Sequence, residues 1–483
     1  MVCGLLTAAA TGLAVACGGD DGGIGPACEG PTCDGGASSE TSTPDSPSEV
    51  DSTTIPSDAG TDADADSSIV TSCVDGGAPG TLDTTFGEAG LVWLKYSGSG
   101  ANDLLTQPDG KIVVGGYIGG AQGGAALVRL LPDGTLDTTF GTNGLVVSYA
   151  QSNFAITAVA LQSNGRVVAV GPTNNGGPSR VVARRHLTDG SLDPTFGTAG
   201  VVETSISGRE ARAATVVLQP DGKILVSGMS EAAVNTSGTG DFFVLRYDAS
   251  GSLDATFGTN GIATLDMHGT RDEPGVMALG SGGRVVIVGR SSMTLDDPVH
   301  VDLAVGRFDS TGALDPTFAT GGKFLTSFGG RQGGFAVAFD GSGRIVVGGQ
   351  NGVGQDFGVF RLSAAGALDP SFGDGGSVSK DFNGAADGIG SILLQEDGKI
   401  LAIGSSRVAA GSRNIASVRY AMNGAVDPTF GVAGQSLTPP PSNADLGATK
   451  AVLTACTFVT AGAWLYDENA STKSAMGFAR YWR

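Results

Sequence analysis

Two acidic stretches have the residue types to do chemistry. Asp266, His268, Asp272 and Glu273 lie within eight residues of one another, and Asp296, Asp297, His300 and Asp302 follow about thirty residues later. Carboxylates alone suit a hard cation such as Ca2+, and carboxylates with histidine suit a transition metal. The spacing fits no EF-hand or zinc motif, and acidic loops are most often simply solvated. Ca2+ is therefore the one cofactor the sequence brings into question, and no other is expected. The chain also has no G-x-S-x-G elbow, no H-E-x-x-H and no P-loop. With three His in 483 residues, little is left for histidine-based catalysis.

A more regular pattern surrounds these stretches. The run Leu82-Asp-Thr-Thr-Phe-Gly87 recurs six more times, keeping Asp83, Asp137, Asp193, Asp254, Asp315, Asp369 and Asp427, each followed by a Phe three residues on. An Arg precedes six of these Asp by eight residues: Arg129, Arg185, Arg246, Arg307, Arg361 and Arg419. A residue present in every repeat is a structural element first, because a ligand breaks the equivalence of repeats. Each Arg is expected to fork bidentately onto its Asp and hold the loop between them. The repeated Phe is expected to pack between repeats.

These elements need a scaffold with the same period. Each period, 54 to 61 residues long, reads as four short strands rich in Val, Ile and Ala. Asp-Gly-Lys or Asn-Gly-Arg turns join the first two strands, at Asp109–Lys111, Asn164–Arg166, Asp221–Lys223 and Asp397–Lys399. Such dipeptides favour tight hairpins. Four antiparallel strands per period with no helical periodicity predict an all-β, seven-bladed β-propeller over residues 80–483.

The repeat is cut in an informative place. Arg480 has no Leu-Asp after it, and Asp83 has no Arg before it. A ring resolves both defects if Arg480 pairs with Asp83. Residues 90–96 are then the N-terminal strand that completes the last blade, beside strands at 449–454, 457–462 and 477–482. Closure of this kind hides sheet edges that would otherwise invite aggregation.

The pattern D-G-K-I-x-V-G-G … V-x-R-Y … G-x-L-D-x-T-F-G, clear at 221–228, 244–247 and 251–258, resembles the delta-60 repeat of uncharacterised bacterial β-propeller proteins. The resemblance covers residues 80–483. It implies a propeller in a secreted or surface setting and carries no established activity or site residues. The last repeat departs furthest, with Ala455-Cys456 in place of the Asp-Gly-Lys turn.

The N-terminal 80 residues are of another kind. Residues 5–16 form a short apolar run ending Ala14-Val15-Ala16-Cys17, which fits a signal peptide over residues 1–16 and resembles a bacterial lipobox with Cys17 as the lipid attachment site. Residues 17–79, rich in Gly, Ser, Thr, Pro and Asp, are expected to be a disordered acidic tether. Thirteen acids and no bases in the first 80 residues account for most of the net charge of −20. That charge argues against nucleic acid, and the absence of a long apolar run past the N-terminus argues against a multi-span membrane protein. Four cysteines, Cys28, Cys33, Cys73 and Cys456, remain for two disulfides, with Cys73–Cys456 able to lock the ring where it closes.

The function expected is a binding or scaffolding module outside the cytoplasm, on the bacterial cell envelope, touching the membrane only through a lipid anchor. Its partner would be a glycan, peptide or envelope protein on the face bearing the variable loops, such as 229–240, 290–301 and 464–476. A monomer is expected. The competing classes are an enzyme acting on an extracellular polysaccharide, which clustered acids in the central mouth would favour, and a purely architectural envelope protein.

Overall fold

The computed structural model describes residues 76–483, apart from 97, 120–123, 149–154, 174–176, 232–239, 269–270, 293–300, 328–329, 383, 409–411, 441–443 and 469–470. Residues 69–483 form one compact unit; a second, 1–68, lies outside the described residues. The signal peptide, the tether, Cys17, Cys28, Cys33, Cys73, Asp296, Asp297 and His300 therefore all lie outside them.

The chain is all-β, built from four-stranded antiparallel meanders. The first comprises β2–β5 (Gly100–Thr106, Ile112–Ile118, Gly124–Leu130, Leu145–Ser148) and the second β6–β9 (Ala158–Leu161, Val167–Thr173, Arg180–His186, Val201–Thr204). The third is β10–β13 (Glu210–Leu218, Ile224–Glu231, Gly240–Tyr247, Ile262–Leu265) and the fourth β14–β17 (Arg271–Leu279, Val285–Ser292, Val301–Phe308, Lys323–Thr326). These two share one sheet through a single parallel pair, Gly240 with Arg271. The fifth is β18–β21 (Gly333–Phe339, Ile345–Asn351, Asp356–Leu362, Ser377–Lys380) and the sixth β22–β25 (Asp387–Leu394, Ile400–Arg407, Arg413–Tyr420, Gln435–Thr438).

The last unit is assembled from both ends of the described chain. β27 (Lys450–Leu453), β28 (Thr457–Glu468) and β29 (Ser471–Trp482) run in order, and β1 (Leu91–Leu94) pairs antiparallel with β29, Leu91 opposite Ala479 and Leu94 opposite Met476. A two-residue strand, β26 (Ala444–Asp445), caps the upper part of β28. The β28–β29 hairpin is twelve residues a side, against seven or eight for its counterparts.

Apolar residues occupy both faces of the sheets, so each core is an interface between neighbouring units. Val113, Leu127 and Phe140 of the first unit pack with Ile156, Val167 and Val182 of the second. Ile112, Val114 and Ala126 of the first unit pack in the same way with Val459, Ala461 and Phe478 of the last. Five of the first strands carry a bulge at one equivalent place, after Ala101, Ala213, Pro274, Gly334 and Ile389. The bulged residue backs onto the next unit: Asn102 donates to the Ile156 carbonyl at 2.8 Å, and a Cβ at Gly390 would fall 2.3 Å from the Thr449 carbonyl.

A second set of backbone bonds runs from unit to unit. The residue after each repeated Phe donates its amide to the next unit: Gly87 to Asp133, Gly141 to Asp189, Gly197 to Ser250, Gly258 to Thr311, Ala319 to Ala365, Gly373 to Asn423 and Gly431 to Pro79, all at 2.7–2.9 Å. The last bond returns from the sixth unit to the N-terminal segment that serves the last unit.

Candidate functional sites

The repeated Arg, Asp and Phe form one cluster in each unit. Arg Nε donates to Asp Oδ2 at 2.6–2.9 Å in all seven pairs, Arg480 with Asp83 included. The contact is not the bidentate fork the sequence suggested. In six of the seven, the guanidinium's Nη1 reaches a backbone carbonyl of the following unit, such as Thr188 for Arg129 and Ser310 for Arg246, both at 2.6 Å. Ala249, Ala364, Met422 and Pro132 accept the corresponding bonds from Arg185, Arg307, Arg361 and Arg480. Nη2 reaches a Thr or Ser hydroxyl two residues beyond the Asp. The guanidinium is spread over three partners because a planar five-donor group can serve a loop and a neighbour at once. It also lies 4.5–5.0 Å above the buried Phe ring.

Sequence reasoning missed a further member of this cluster. The base of the first hairpin turn also reaches the repeated Asp: Lys111 to Asp137, Arg166 to Asp193, Lys223 to Asp254, Arg284 to Asp315, Arg344 to Asp369 and Lys399 to Asp427, at 3.3–3.5 Å. At Asp427 burial opposes the charge, but the Thr429 hydroxyl and amide and the Arg419 and Lys399 charges outweigh it and bring the pKa to about 2. The other six Asp are lowered as well.

The acidic candidates divide. Asp266 and Asp272 come together, joined by Asp241 at the start of β12, with one carboxylate oxygen from each within 4.8 Å of the others. Asp272 is fully buried; its Oδ2 accepts the Met267 amide at 2.8 Å and its Oδ1 the Ser291 hydroxyl at 2.6 Å. Burial, with Asp266 and Asp241 close by, holds its pKa up at about 6. Arg209 pairs with Asp241 at 3.0 Å. Glu273 lies outside the cluster, bound to Arg290 and Arg271. Asp302 sits on β16 opposite Ser291, and His268 is exposed.

A second triad, Asp356, Asp381 and Asp387, repeats the arrangement between the fifth and sixth units. Its spacing is identical, 25 and then 6 residues. That coincidence is the sequence signal that would have found both triads, and it was missed because each combines a third strand of one unit with the first strand of the next.

A cavity between the first strands holds a further polar pair. About 170 Å3 in volume, it is lined by first-strand residues of all the units, Asp103, Ala158, Thr215, Val276, Ala336, Ser391 and Lys450 among them. Burial raises the Asp103 carboxyl to about 6, against the opposing pull of Lys450 and of the Val159 amide, which donates to Oδ2 at 2.8 Å. Lys450 is lowered by burial, with Asp103 opposing.

On the last unit, a recess of about 530 Å3 lies along β1, lined by Glu88, Trp93, Lys95, Tyr466 and Asp467. Trp93 meets Trp464 edge-on at 4.7 Å and Tyr466 at 6.2 Å, and the Lys95 ammonium stands 5.1 Å over the Tyr466 ring. All three of the chain's Trp, Trp93, Trp464 and Trp482, thus lie on the unit that departs furthest from the repeat, two of them in contact here.

Residues 107–140, 162–196, 219–257, 341–372 and 395–430 match the family model described as a domain of unknown function (DUF5122) beta-propeller. No curated protein matches the chain. Among solved structures, the chain is similar to polysaccharide lyase Uly1, at 12% identity and a TM-score of 0.44, over 79% of this chain and 90% of that one. It is similar to a PL25 ulvan lyase bound to -[GlcA(1-4)Rha3S]-, at 9% identity and 0.46, over 80% and 95%. A glucose dehydrogenase gives 12% identity and 0.36, over 67% and 95%. At these values the likenesses carry no argument about activity.

Proposed function

We propose that the chain is an extracytoplasmic binding propeller: a seven-bladed ring, closed where β1 completes the last blade, held to the bacterial envelope by a lipidated Cys17 and the acidic tether. Its ligand, a glycan, peptide or envelope protein, is taken up at the recess along β1. The observation that carries this reading is the recess itself. It sets partly exposed aromatic rings beside Glu88, Lys95 and Asp467 on the one unit freed from the repeat, which is how a rigid scaffold acquires a selective contact surface.

The test is capture of envelope fractions and glycans by the full chain, with Tyr466→Ala and Lys95→Ala as controls. Saturable capture that both variants weaken supports the reading; capture indifferent to both removes the recess from it. Membrane partitioning of the natural protein, abolished by Cys17→Ser, tests the anchor.

A second reading, an enzyme acting on an extracellular polysaccharide, draws on one observation. The Asp103 carboxyl, at about 6 in the first-strand cavity, lies in the range of a general acid or base. Turnover of a captured polysaccharide that is lost in Asp103→Asn would favour it.

A further inference from the structure

We infer that Asp356, Asp381 and Asp387 form a divalent-cation site of Ca2+ type between the fifth and sixth units, with Asp241, Asp266 and Asp272 as its counterpart between the third and fourth. This stands apart from the ligand reading above, since it involves neither the recess nor the first-strand cavity.

The geometry fits one ion. Ca2+ binds oxygens at about 2.3–2.6 Å, so two of its ligands lie no more than roughly 5 Å apart. The three carboxylates of each triad offer oxygens within 4.8 Å of one another. All three donors are hard oxygens with no nitrogen or sulfur among them, which selects Ca2+ or Mg2+ over Zn2+ or Cu2+.

A second observation points to a ligand. Asp387 is 1% exposed, and its Oδ2 accepts the Phe382 amide at 3.1 Å. Its Oδ1 is sealed from water and accepts no hydrogen bond of regular geometry. The Ser406 hydroxyl is close enough to favour the charged carboxylate, but it does not give Oδ1 the 2.6 Å bond that Ser291 gives Asp272. A buried acceptor left in this state destabilises the fold, the more so when charged. A cation among the three carboxylates supplies the missing partner.

The two triads differ in their surroundings. Arg209 already takes one carboxylate of the Asp241 cluster. Among the described residues, no Lys or Arg forms an ion pair with Asp356 or Asp387. Two of the three carboxylates of the Asp356 cluster are thus not already taken by a side-chain cation. An ion there ties the start of β20 and the segment after β21 to the start of β22, so it would pin the connection between two units.

The experiment is Ca2+ titration of the EDTA-treated full chain by calorimetry, with the thermal midpoint followed in parallel and Mg2+ as a second arm. Expected are saturable Ca2+ uptake and a midpoint that rises with Ca2+. Asp387→Asn and, as a milder change at a half-buried position, Asp356→Asn should each weaken the uptake about tenfold or more. Glu29→Gln in the acidic N-terminal segment should leave it unchanged. Absence of saturable uptake, or uptake of the same affinity and stoichiometry in both triad variants, overturns the assignment.

Discussion

Arg480 Nε donates to Asp83 Oδ2 at 2.6 Å across 397 residues of sequence, whereas the other six Arg–Asp pairs span eight. The last half-repeat thus treats the first as its own continuation. Leu82 bridges Tyr481, Asp83 accepts the Thr85 amide and hydroxyl as its counterparts accept theirs, and the Gly431 amide reaches Pro79. Deleting residues 80–97 removes β1, Asp83 and Phe86 together and exposes the β29 edge. The deletion variant is expected to aggregate or to unfold at a clearly lower temperature, followed by light scattering and circular dichroism. A variant as soluble and heat-resistant as the parent would contradict closure by this segment.

Acid sensitivity follows from the Arg–Asp clusters. Their carboxylates have pKa values below the ordinary 3.8 in the fold, with Asp427 at about 2. A lowered carboxylate contributes stability that is fully present above about pH 4 and is lost as pH falls through its folded value. Asp103, raised to about 6, works in the opposite direction: its contribution is present at low pH and lost as pH rises from about 4 to 6. Thermal midpoints should therefore fall steeply from pH 4 to 2. Between pH 4 and 6 the wild type should lose more stability with rising pH than Asp103→Asn does. Parallel pH profiles for the two proteins over that interval would sink the assignment to Asp103.

One repeat holds a correctable strain. The residue after the repeated Phe sits at φ between +53° and +57° in six units, always Gly, and at +44° in the fourth, where it is Ala319. A side chain in that left-handed region costs about 1–2 kcal/mol. Ala319→Gly should raise the denaturation midpoint, worth about 1 kcal/mol after the entropy Gly adds to the unfolded chain. Gly373→Ala should lower it by more, because its Cβ would fall on the Ser377 carbonyl. A lower midpoint for Ala319→Gly would show that the helical-hand strain is relieved elsewhere.

Much of the strand architecture was legible because it is written locally. Asp-Gly and Asn-Gly turns announce hairpins, and apolar runs bounded by Gly give strand lengths to within two residues, as at Arg180–His186. The split of the repeat between Asp83 and Arg480 pointed to the pairing of β1 with β29. What stayed hidden is what crosses between units. Nothing in the local sequence tells that Arg129 spends one nitrogen on Thr188, or that Lys111 of a hairpin turn reaches Asp137. Asp241 and Asp356 were overlooked for the same reason, since their partners come from the following unit. Asp103 escaped notice because a single acid in a first strand looks like a solvated one until the first strands of successive units line a common cavity.

Cys456 is disulfide-bonded. All the other cysteines of the chain lie outside the described residues, so the partner is to be found by chemistry. Neighbouring atoms narrow the choice. The Cys456 carbonyl accepts the Arg483 amide at 3.2 Å, and Thr457 is paired with Trp482. Gly76 and Gly77 lie against the same Trp482 ring, close enough that a Cβ at either would come within 2.8 Å of it. The chain thus emerges beside Cys456 three residues after Cys73, whereas Cys28 and Cys33 are more than forty residues away along it. Non-reducing peptide mapping is expected to join Cys73 to Cys456, closing a loop of 383 residues. On the chain-entropy account such a loop stabilises by up to about 5 kcal/mol. Cys73→Ser and Cys456→Ser should then lower the thermal midpoint equally, and the double variant no further. A Cys456 peptide linked instead to Cys28 or Cys33, or single variants with unequal losses, would place the bridge elsewhere.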